Sequence, residues 1–392
     1  MKMYFRIIAS VLLAVMLLGT VCACSQKTDN GGPSADDVSS NGDSSNTEPS
    51  GNPDTDPAGT TAGSEDTDDG KQTNPHFITN RLTGEVCDEA TANRRPVAIM
   101  INNIKKANPQ IGISGAQVIY ECEVEGGITR LMMLTTDYSA LSVVGSIRSA
   151  REYFIDYAMG HDAIFVHAGG SEQAYAELAS RSVDHIDGTR GKNPADTFYR
   201  DPKRLQTMGS VHAYVTSGDR IAKAVDYFNF RTEIPQGTQT SFAFVAPGTA
   251  DLLSDGEKAT HLYMSYTASH CPEFVYDEAS GKYLRFQFKH EPQIDDATGK
   301  QLAFDNVIVI SCQRTNLNDA KGHIDIVTSG EGKGYYCYKG KAIPIRYSKA
   351  NDDAPLRFYR ENGEELLLNI GTTFVNVLGD SQFERLSLNY TN

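Results

Sequence analysis

The chain has 392 residues and a formal net charge of −14 at pH 7, from 36 lysines and arginines against 50 aspartates and glutamates. An acidic chain repels nucleic-acid phosphates and anionic lipid surfaces, so the composition argues against both as binding partners. Hydrophobic residues make up 40% of the sequence, which is enough for a globular core.

Residues 1–24 are interpreted as a lipoprotein signal peptide. Lys2 and Arg6 precede an apolar run at 7–21, which is shorter than the roughly 20 residues of a spanning helix. The tetrad 21–24 resembles a bacterial lipobox, so we expect lipidation of Cys24. This predicts a lipid-anchored protein at the outer face of the cytoplasmic membrane. The alternative is an ordinary secretory signal whose cysteines are incidental.

The following stretch, residues 25–75, is predicted to be a disordered acidic linker. It holds 11 acidic and 2 basic side chains, and Val38 is its only large aliphatic residue. Such a segment cannot bury enough apolar surface to offset its chain entropy. The remaining 317 residues are more than a single hydrophobic core usually accommodates. We expect an α/β domain at 76–250 and a β-rich domain at 251–392, divided within the polar stretch 246–258.

The cysteines of these domains show no recognisable framework. Beyond Cys24 there are five of them: Cys87, Cys122, Cys271, Cys312 and Cys337. Because five is odd, at least one thiol must stay free, and the sequence leaves any pairing of the others open. No C-x-x-C pair occurs, which argues against a zinc ribbon or a thioredoxin-like site. We predict no metal centre and no cofactor.

The first domain is predicted to begin with a buried strand at 96–102 and a hairpin. Residues 117–125 alternate in polarity, and the pair Gly126-Gly127 predicts a two-residue turn into a strand at 128–136. Paired positions would then sum to 253. One strand face carries three carboxylates, which we expect to be solvated or paired with arginine, with a calcium site as the alternative. These residues are Glu121, Glu123 and Glu125.

Two strand–helix units follow. A strand at 142–147 leads into a helix with Ser149 as the capping residue and Glu152 reaching back to it. A second strand at 163–168 leads through a glycine pair into a helix capped by Ser171. This order implies parallel strands joined by a right-handed crossover.

In that arrangement, both helix N-termini and several cationic or polar groups converge on one crevice, where an anion would find charge and backbone donors. The predicted ligand-binding residues are Arg148, Arg151, His167, Gly169, Gly170, Ser171, Glu125 and Arg130. The alternative is that the arginines pair internally with acidic residues and His167 is a hydrogen-bonded core histidine.

Four blocks of the first domain together resemble the YerB-like lipoprotein family. They are Arg95–Asn103, Tyr120-Glu121 with Glu125–Arg130, Gly145–Arg151 and His167–Ser171. The resemblance continues through Tyr276-Asp277, Asp305–Val309 and Arg357–Gly363. It implies a mixed α/β first domain of layered sheets and helices, a strand-rich second domain and a lipoprotein address in Gram-positive bacteria. It implies no particular biochemical activity.

The second domain shows short alternating runs separated by turn residues, which predict a small, mainly antiparallel sheet or barrel. The runs are at 262–267, 282–288, 306–311, 334–338 and 372–378. The fold class predicted for the whole chain is therefore α/β of the mixed α+β kind.

Two functions are compatible with this sequence. The leading hypothesis is a non-catalytic binding or assembly protein that recognises an anionic ligand, a cell-envelope component or a protein partner. The alternative is an extracytoplasmic hydrolase or transferase acting on cell-wall material. Its candidate catalytic residues are His167, Glu121, Arg148 and Arg151.

Overall fold

The structure is a computed structural model that describes residues 77–249 and 253–391. The signal peptide, Cys24 and the acidic linker lie outside these residues. The described residues all belong to one compact unit. Among them, no helix has the length and apolar character needed to cross a bilayer.

The helices are short, and all but one lie before residue 230. They are α1 (Glu89–Asn93), α2 (Glu152–Gly160), α3 (Glu172–Ser180), α4 (Pro202–Met208), α5 (Gly218–Phe228) and α6 (Asp380–Phe383). The strands of the same part of the chain are β1 (Val97–Asn102), β2 (Val118–Glu123), β3 (Thr129–Thr135), β4 (Val144–Gly145), β5 (Ile164–His167), β6 (His185–Asp187), β7 (Tyr199–Arg200), β8 (Tyr214–Thr216) and β9 (Ala243–Phe244).

The remaining strands follow in close succession. They are β10 (Glu257–Lys258), β11 (His261–Tyr263), β12 (Glu273–Asp277), β13 (Lys282–Gln287), β14 (Glu291–Pro292), β15 (Ala303–Phe304), β16 (Asn306–Cys312), β17 (Arg314–Asn316), β18 (Ile324–Ile326), β19 (Gly330–Tyr338), β20 (Lys341–Lys349), β21 (Arg357–Arg360), β22 (Leu367–Leu368) and β23 (Thr373–Gly379).

The main element of the fold is an 11-stranded sheet with the order β10-β20-β19-β16-β23-β2-β3-β1-β5-β6, in which β21 also pairs with β20. At its centre β2 lies parallel to β23, with Val118 opposite Thr373. Strands from both halves of the sequence therefore form one continuous sheet. This arrangement confirms the mixed α+β class.

Each face of this sheet carries its own hydrophobic core. On one face, Tyr120 and Phe165 pack with the apolar side chains of α2 and α3. On the other face, Ile99 and Met133 pack with α5 and with a five-stranded sheet formed by β11 to β15. Both faces are covered, which explains why all six residues of β1 and of β2 are buried.

The predicted β2–β3 hairpin is present, but its register was wrong by one residue. Paired positions sum to 252, so Glu123 lies opposite Thr129 and not Arg130. The turn contains three residues, Glu125–Gly127, rather than the two glycines alone. The additional turn residue shifts the pairing of the entire hairpin.

The strand–helix order is as predicted, but the strand pairing differs. β4 pairs with β8 in a separate three-stranded sheet, whereas β5 lies parallel to β1 and β6. The predicted capping box is also absent, because Ser149 donates its Oγ proton to the Ala168 carbonyl at 3.1 Å. Arg151 is the N-cap of α2, but its side chain forms no capping hydrogen bond with the helix. Ser171 does cap α3, as predicted, by accepting from the Ala174 amide at 3.0 Å.

The five strands predicted in the second half all form, and they divide between two sheets. β11 and β13 belong to the five-stranded sheet, whereas β16, β19 and β23 extend the main sheet. Among the described residues of the stretch 246–258, the only strand is the short β10, which pairs with β20. The domain limits at 250 and 251 remain a prediction.

Candidate functional site

The N-termini of α2 and α3 lie side by side. Ala150 and Gly170 form a parallel bridge, and the Ala150 amide donates to the Gly169 carbonyl at 2.8 Å. Gly169 has a φ of +82°, and a Cβ there would lie 3.2 Å from the Ser149 hydroxyl, so a glycine is required. The predicted proximity of the two helix starts is therefore present.

An internal carboxylate pairs with Arg151 at the start of α2. Glu125 accepts two hydrogen bonds from Arg151, one of them at 3.0 Å from Nε, and a third from Arg130 at 3.0 Å. Burial acts to raise the pKa of Glu125, but the two arginines outweigh it and hold the pKa at about 2. Burial and the charge of Arg151 lower the pKa of Arg130 to about 10. These three residues form a closed ionic cluster.

The other two strand carboxylates are also paired inside the protein. Glu121 is fully buried and accepts a hydrogen bond from Arg285 at 2.6 Å, while His270 lies 2.9 Å from its second oxygen. Glu123 pairs with Arg314 at 2.7 Å. The carboxylates thus pair with arginine and not with solvent or a common cation. Arg285 and Arg314 come from the second half of the sequence, so the sequence pattern around the glutamates could not predict these partners.

His167 belongs to a buried network. Its side chain has no exposed surface, its Nδ1 lies 2.8 Å from the Gly169 carbonyl, and its Nε2 lies 3.0 Å from Nδ1 of His185. Burial lowers the pKa of His167 to about 4, although Asp187 acts to raise it. Asp187 also accepts from the Gly169 amide at 2.9 Å. One of the predicted anion donors is therefore used internally.

Arg148 is placed differently from Arg151. Its backbone bridges the ends of β1 and β5, because its amide donates to the Met100 carbonyl and its carbonyl accepts from Ala168, both at 2.9 Å. Its half-buried guanidinium makes no hydrogen bond or ion pair with the residues that the structure describes. Burial lowers its pKa. Of the three arginines predicted at the site, Arg130 and Arg151 pair with Glu125 and only Arg148 has an unpaired guanidinium.

The Arg148 side chain lines an open crevice of about 300 Å³. The other lining residues are Ile147, Ala168, Gly188, Thr189, Arg200, Ser210, Val211 and Tyr214. Ala168 directly follows β5 and Gly188 directly follows β6, so the crevice lies at the carboxyl ends of two parallel strands. Ligands of open α/β sheets bind at this kind of edge.

The surroundings of this crevice are basic. Arg200 lies over the ring of Tyr214, at 5.3 Å from its centroid. Burial lowers the pKa of the nearby His212, and the positive charges of Arg148 and Lys106 lower it further. Arg148 and Arg200 therefore provide two cationic groups beside a partly apolar wall. Such a wall suits a ligand that carries an anionic group on a larger body.

Sequence reasoning missed Arg200 and Tyr214. They lie on β7 and β8, which join β4 in a small sheet. Both residues are more than 50 positions from Arg148 in the sequence. No local motif marks them. The available signal was the run of basic and aromatic residues around 198–200, which had no assigned partner until the three-stranded sheet was known.

The fold and the crevice define a mixed α+β protein with a basic cleft at the edge of its main sheet. Two family models match the chain: "Protein of unknown function (DUF3048) N-terminal domain" at 82–231 and "Protein of unknown function (DUF3048) C-terminal domain" at 262–375. The chain is 30% identical over 303 residues to "Putative lipoprotein YerB" of Bacillus subtilis, covering 76% of this chain and 86% of the relative.

A solved structure agrees with this relationship. The crystal structure of the YerB protein from Bacillus subtilis matches with a TM-score of 0.67 and 27% sequence identity, over 79% of this chain and 99% of the crystal chain. The chain belongs to the family of YerB-like proteins. The family resemblance of the four sequence blocks is thereby confirmed.

Proposed function

We propose that this protein is a lipid-anchored binding protein of the cell envelope, and that the Arg148 crevice recognises an anionic group of its ligand. The observation that carries the proposal is the unpaired guanidinium of Arg148, a residue that lines the same crevice as Arg200. Every other arginine predicted at the site is bonded to Glu125. A half-buried arginine that forms no hydrogen bond or ion pair with the described residues is suited to bind an external anion, although the charge of Glu125 also acts on it.

The ligand class follows from the shape and charge of the crevice. A guanidinium binds carboxylate or phosphate through two parallel hydrogen bonds. The ring of Tyr214 and the exposed side chain of Val211 offer apolar contact next to that charge. A carboxylate of a wall peptide or a phosphate of a wall polymer would provide both features.

The predicted location at the outer face of the membrane supports a ligand from the cell envelope. The lipobox ends at Cys24, and a named lipoprotein is the relative with 30% identity. Replacing Cys24 by alanine should release the protein from the membrane fraction into the medium; retention of the variant in membranes would contradict the lipid anchor.

Binding rather than catalysis is favoured by burial. A hydrolase acting at this crevice would need His167 and Glu121 as acid and base groups, and both side chains are fully buried. Neither lines the Arg148 crevice. General acid–base catalysis requires hydrogen-bond reach to the substrate.

The test is a titration of the full-length protein, purified in mild detergent, with inorganic phosphate and with acetate. Arg148→Gln and Arg200→Gln should each weaken anion binding by about tenfold or more, since each removes a charged hydrogen bond. Arg346→Gln is the matched control, because this arginine is 61% exposed and forms only a surface pair with Glu331. Unchanged binding in Arg148→Gln would refute the proposed site.

A further inference from the structure

A second group of chemically active side chains lies on the five-stranded sheet, away from the Arg148 crevice. His261 on β11 pairs with Val275 on β12, so Glu273, two residues before Val275, is its diagonal neighbour on the same face. His290 follows β13 in a left-handed turn, where residues 288–290 have φ values of 50°, 66° and 65°. We name His261, Glu273 and His290 the His–Glu–His cluster.

Both imidazoles of the cluster converge on one carboxylate oxygen. Nε2 of His261 lies 2.6 Å from Oε2 of Glu273, and Nδ1 of His290 lies 2.8 Å from the same atom. The three potential ligand atoms all lie within 4.8 Å of one another. Two imidazole nitrogens and a carboxylate oxygen form a donor set that suits zinc and related divalent ions.

The carboxylate of the cluster lacks the cation that its counterparts have. The Glu273 side chain is only 5% exposed, and its ion-pair partners among the described residues are the two histidines. Glu121 and Glu123, by contrast, each pair with an arginine. A buried carboxylate is costly without compensating charge, and the two imidazoles beside Glu273 are themselves metal ligands. A bound divalent cation would supply a permanent positive charge at this position.

Aromatic packing fixes the orientation of both rings. Phe286 stacks on His290 with a centroid distance of 4.2 Å and an interplanar angle of 5°. Tyr390 meets His261 edge-on at 5.4 Å. Rings held in this way lose little freedom when they bind an ion, so the cluster is already organised for binding.

One side of the cluster opens into a cleft of about 570 Å³. Tyr263, Cys271 and Lys289 line this cleft beside Glu273 and His290. Three protein ligands and an open fourth position are the arrangement of reactive zinc sites, whereas structural sites are closed by four protein ligands.

We propose that Nε2 of His261, a carboxylate oxygen of Glu273 and Nδ1 of His290 bind a divalent transition-metal ion, with Zn²⁺ as the best match. The remaining coordination position faces the cleft and is available to water or to a donor atom of an external ligand.

The experiment is a calorimetric titration of the full-length protein with Zn²⁺, after purification in mild detergent and removal of metal with a chelator. We expect one Zn²⁺ per chain and no saturable binding of Ca²⁺. Glu273→Gln and His290→Gln should each weaken Zn²⁺ binding by at least the roughly 100-fold that even outer-shell changes can cost. Protein loaded with Co²⁺ should show the visible absorption of a four-coordinate site.

Three further variants keep the test decisive. His323→Gln is the matched control, because His323 pairs with a single carboxylate, Asp319, at 2.5 Å. It and Cys271→Ser should retain full Zn²⁺ affinity. If Glu273→Gln does not fold, as judged by thermal unfolding, the more exposed His261→Gln takes its place. Absence of stoichiometric Zn²⁺ binding, or wild-type affinity in the cluster variants, or loss of affinity in either control, would overturn the assignment.

Discussion

Arg285 donates a hydrogen bond to Glu121 at 2.6 Å, and neither side chain has any exposed surface. The pair connects β13 of the five-stranded sheet with β2 of the main sheet. Asn103, Thr129 and His270 complete the bonding of the Glu121 carboxylate. Burial acts to raise the pKa of Glu121, but Arg285 and His270 bring it below its ordinary value. The carboxylate is therefore charged inside the protein.

The first prediction concerns this buried pair. Arg285→Met should lower the free energy of unfolding by about 3–5 kcal/mol, because it leaves the Glu121 charge without its partner. The double variant Glu121→Gln/Arg285→Met should recover part of that loss, since the buried charge is then gone. Urea unfolding checks both variants, and equal stability of the single and double variants would contradict the charge argument.

The second prediction separates the two arginines that the sequence placed in one site. Arg151→Lys keeps the charge but loses the two-point contact with Glu125, so it should cost about 2 kcal/mol of stability. Phosphate binding should remain. Arg148→Lys should leave the unfolding midpoint unchanged and weaken phosphate binding. The opposite assignment of effects would show that Arg151, and not Arg148, contacts the ligand.

The third prediction is a pH dependence that originates at His167. Burial depresses its pKa in the folded protein to about 4, from the ordinary 6.5. The unfolded chain therefore takes up the proton first, so the stability is complete above pH 6.5 and is lost as the pH falls toward 4. His167→Gln should reduce the slope of unfolding free energy against pH in this window, and the remaining slope should come mainly from His161, because burial lowers its pKa to about 3. A slope equal to that of the wild type would indicate that other groups cause the dependence.

The fourth prediction uses the thiols. All five cysteines in the described part of the chain are free, and Cys122, Cys312 and Cys337 are buried. Burial raises the pKa of all three thiols, which makes them unreactive. A maleimide should label Cys87 and Cys271 in the native protein and all five thiols in urea. Mass spectrometry of labelled peptides checks this, and a disulfide-linked peptide would contradict it.

Local pattern was sufficient for elements that depend on neighbouring residues. The alternation of Val118, Tyr120 and Cys122 correctly predicted one apolar strand face, which packs in the core with α2 and α3. Ser171 was correctly predicted as a helix cap, because capping depends on the next three residues. The turn at Glu125 was misread, since a three-residue and a two-residue turn both accommodate the glycine pair.

Ion pairs between residues far apart in the sequence could not be predicted from local sequence patterns. Glu121 looked like a surface residue because its partner Arg285 is 164 positions away. Arg148 and Arg151 lie in one short motif, yet Glu125, in the turn between β2 and β3, forms an ion pair with Arg151 and not with Arg148. Which of two similar side chains stays open to solvent is decided by packing from another part of the chain. The motif itself does not distinguish the paired arginine from the unpaired one.

The parallel pairing of β2 with β23 determines how the chain behaves when it is cut into two fragments. A fragment that stops before β10 would present β2 as an unsatisfied edge, with backbone donors and acceptors that β23 normally fills. Such a fragment should self-associate when it is produced alone. Co-production with the complementary fragment should restore a soluble, non-covalent heterodimer, so the protein is suited to a split-reporter format with its cut site between β9 and β10.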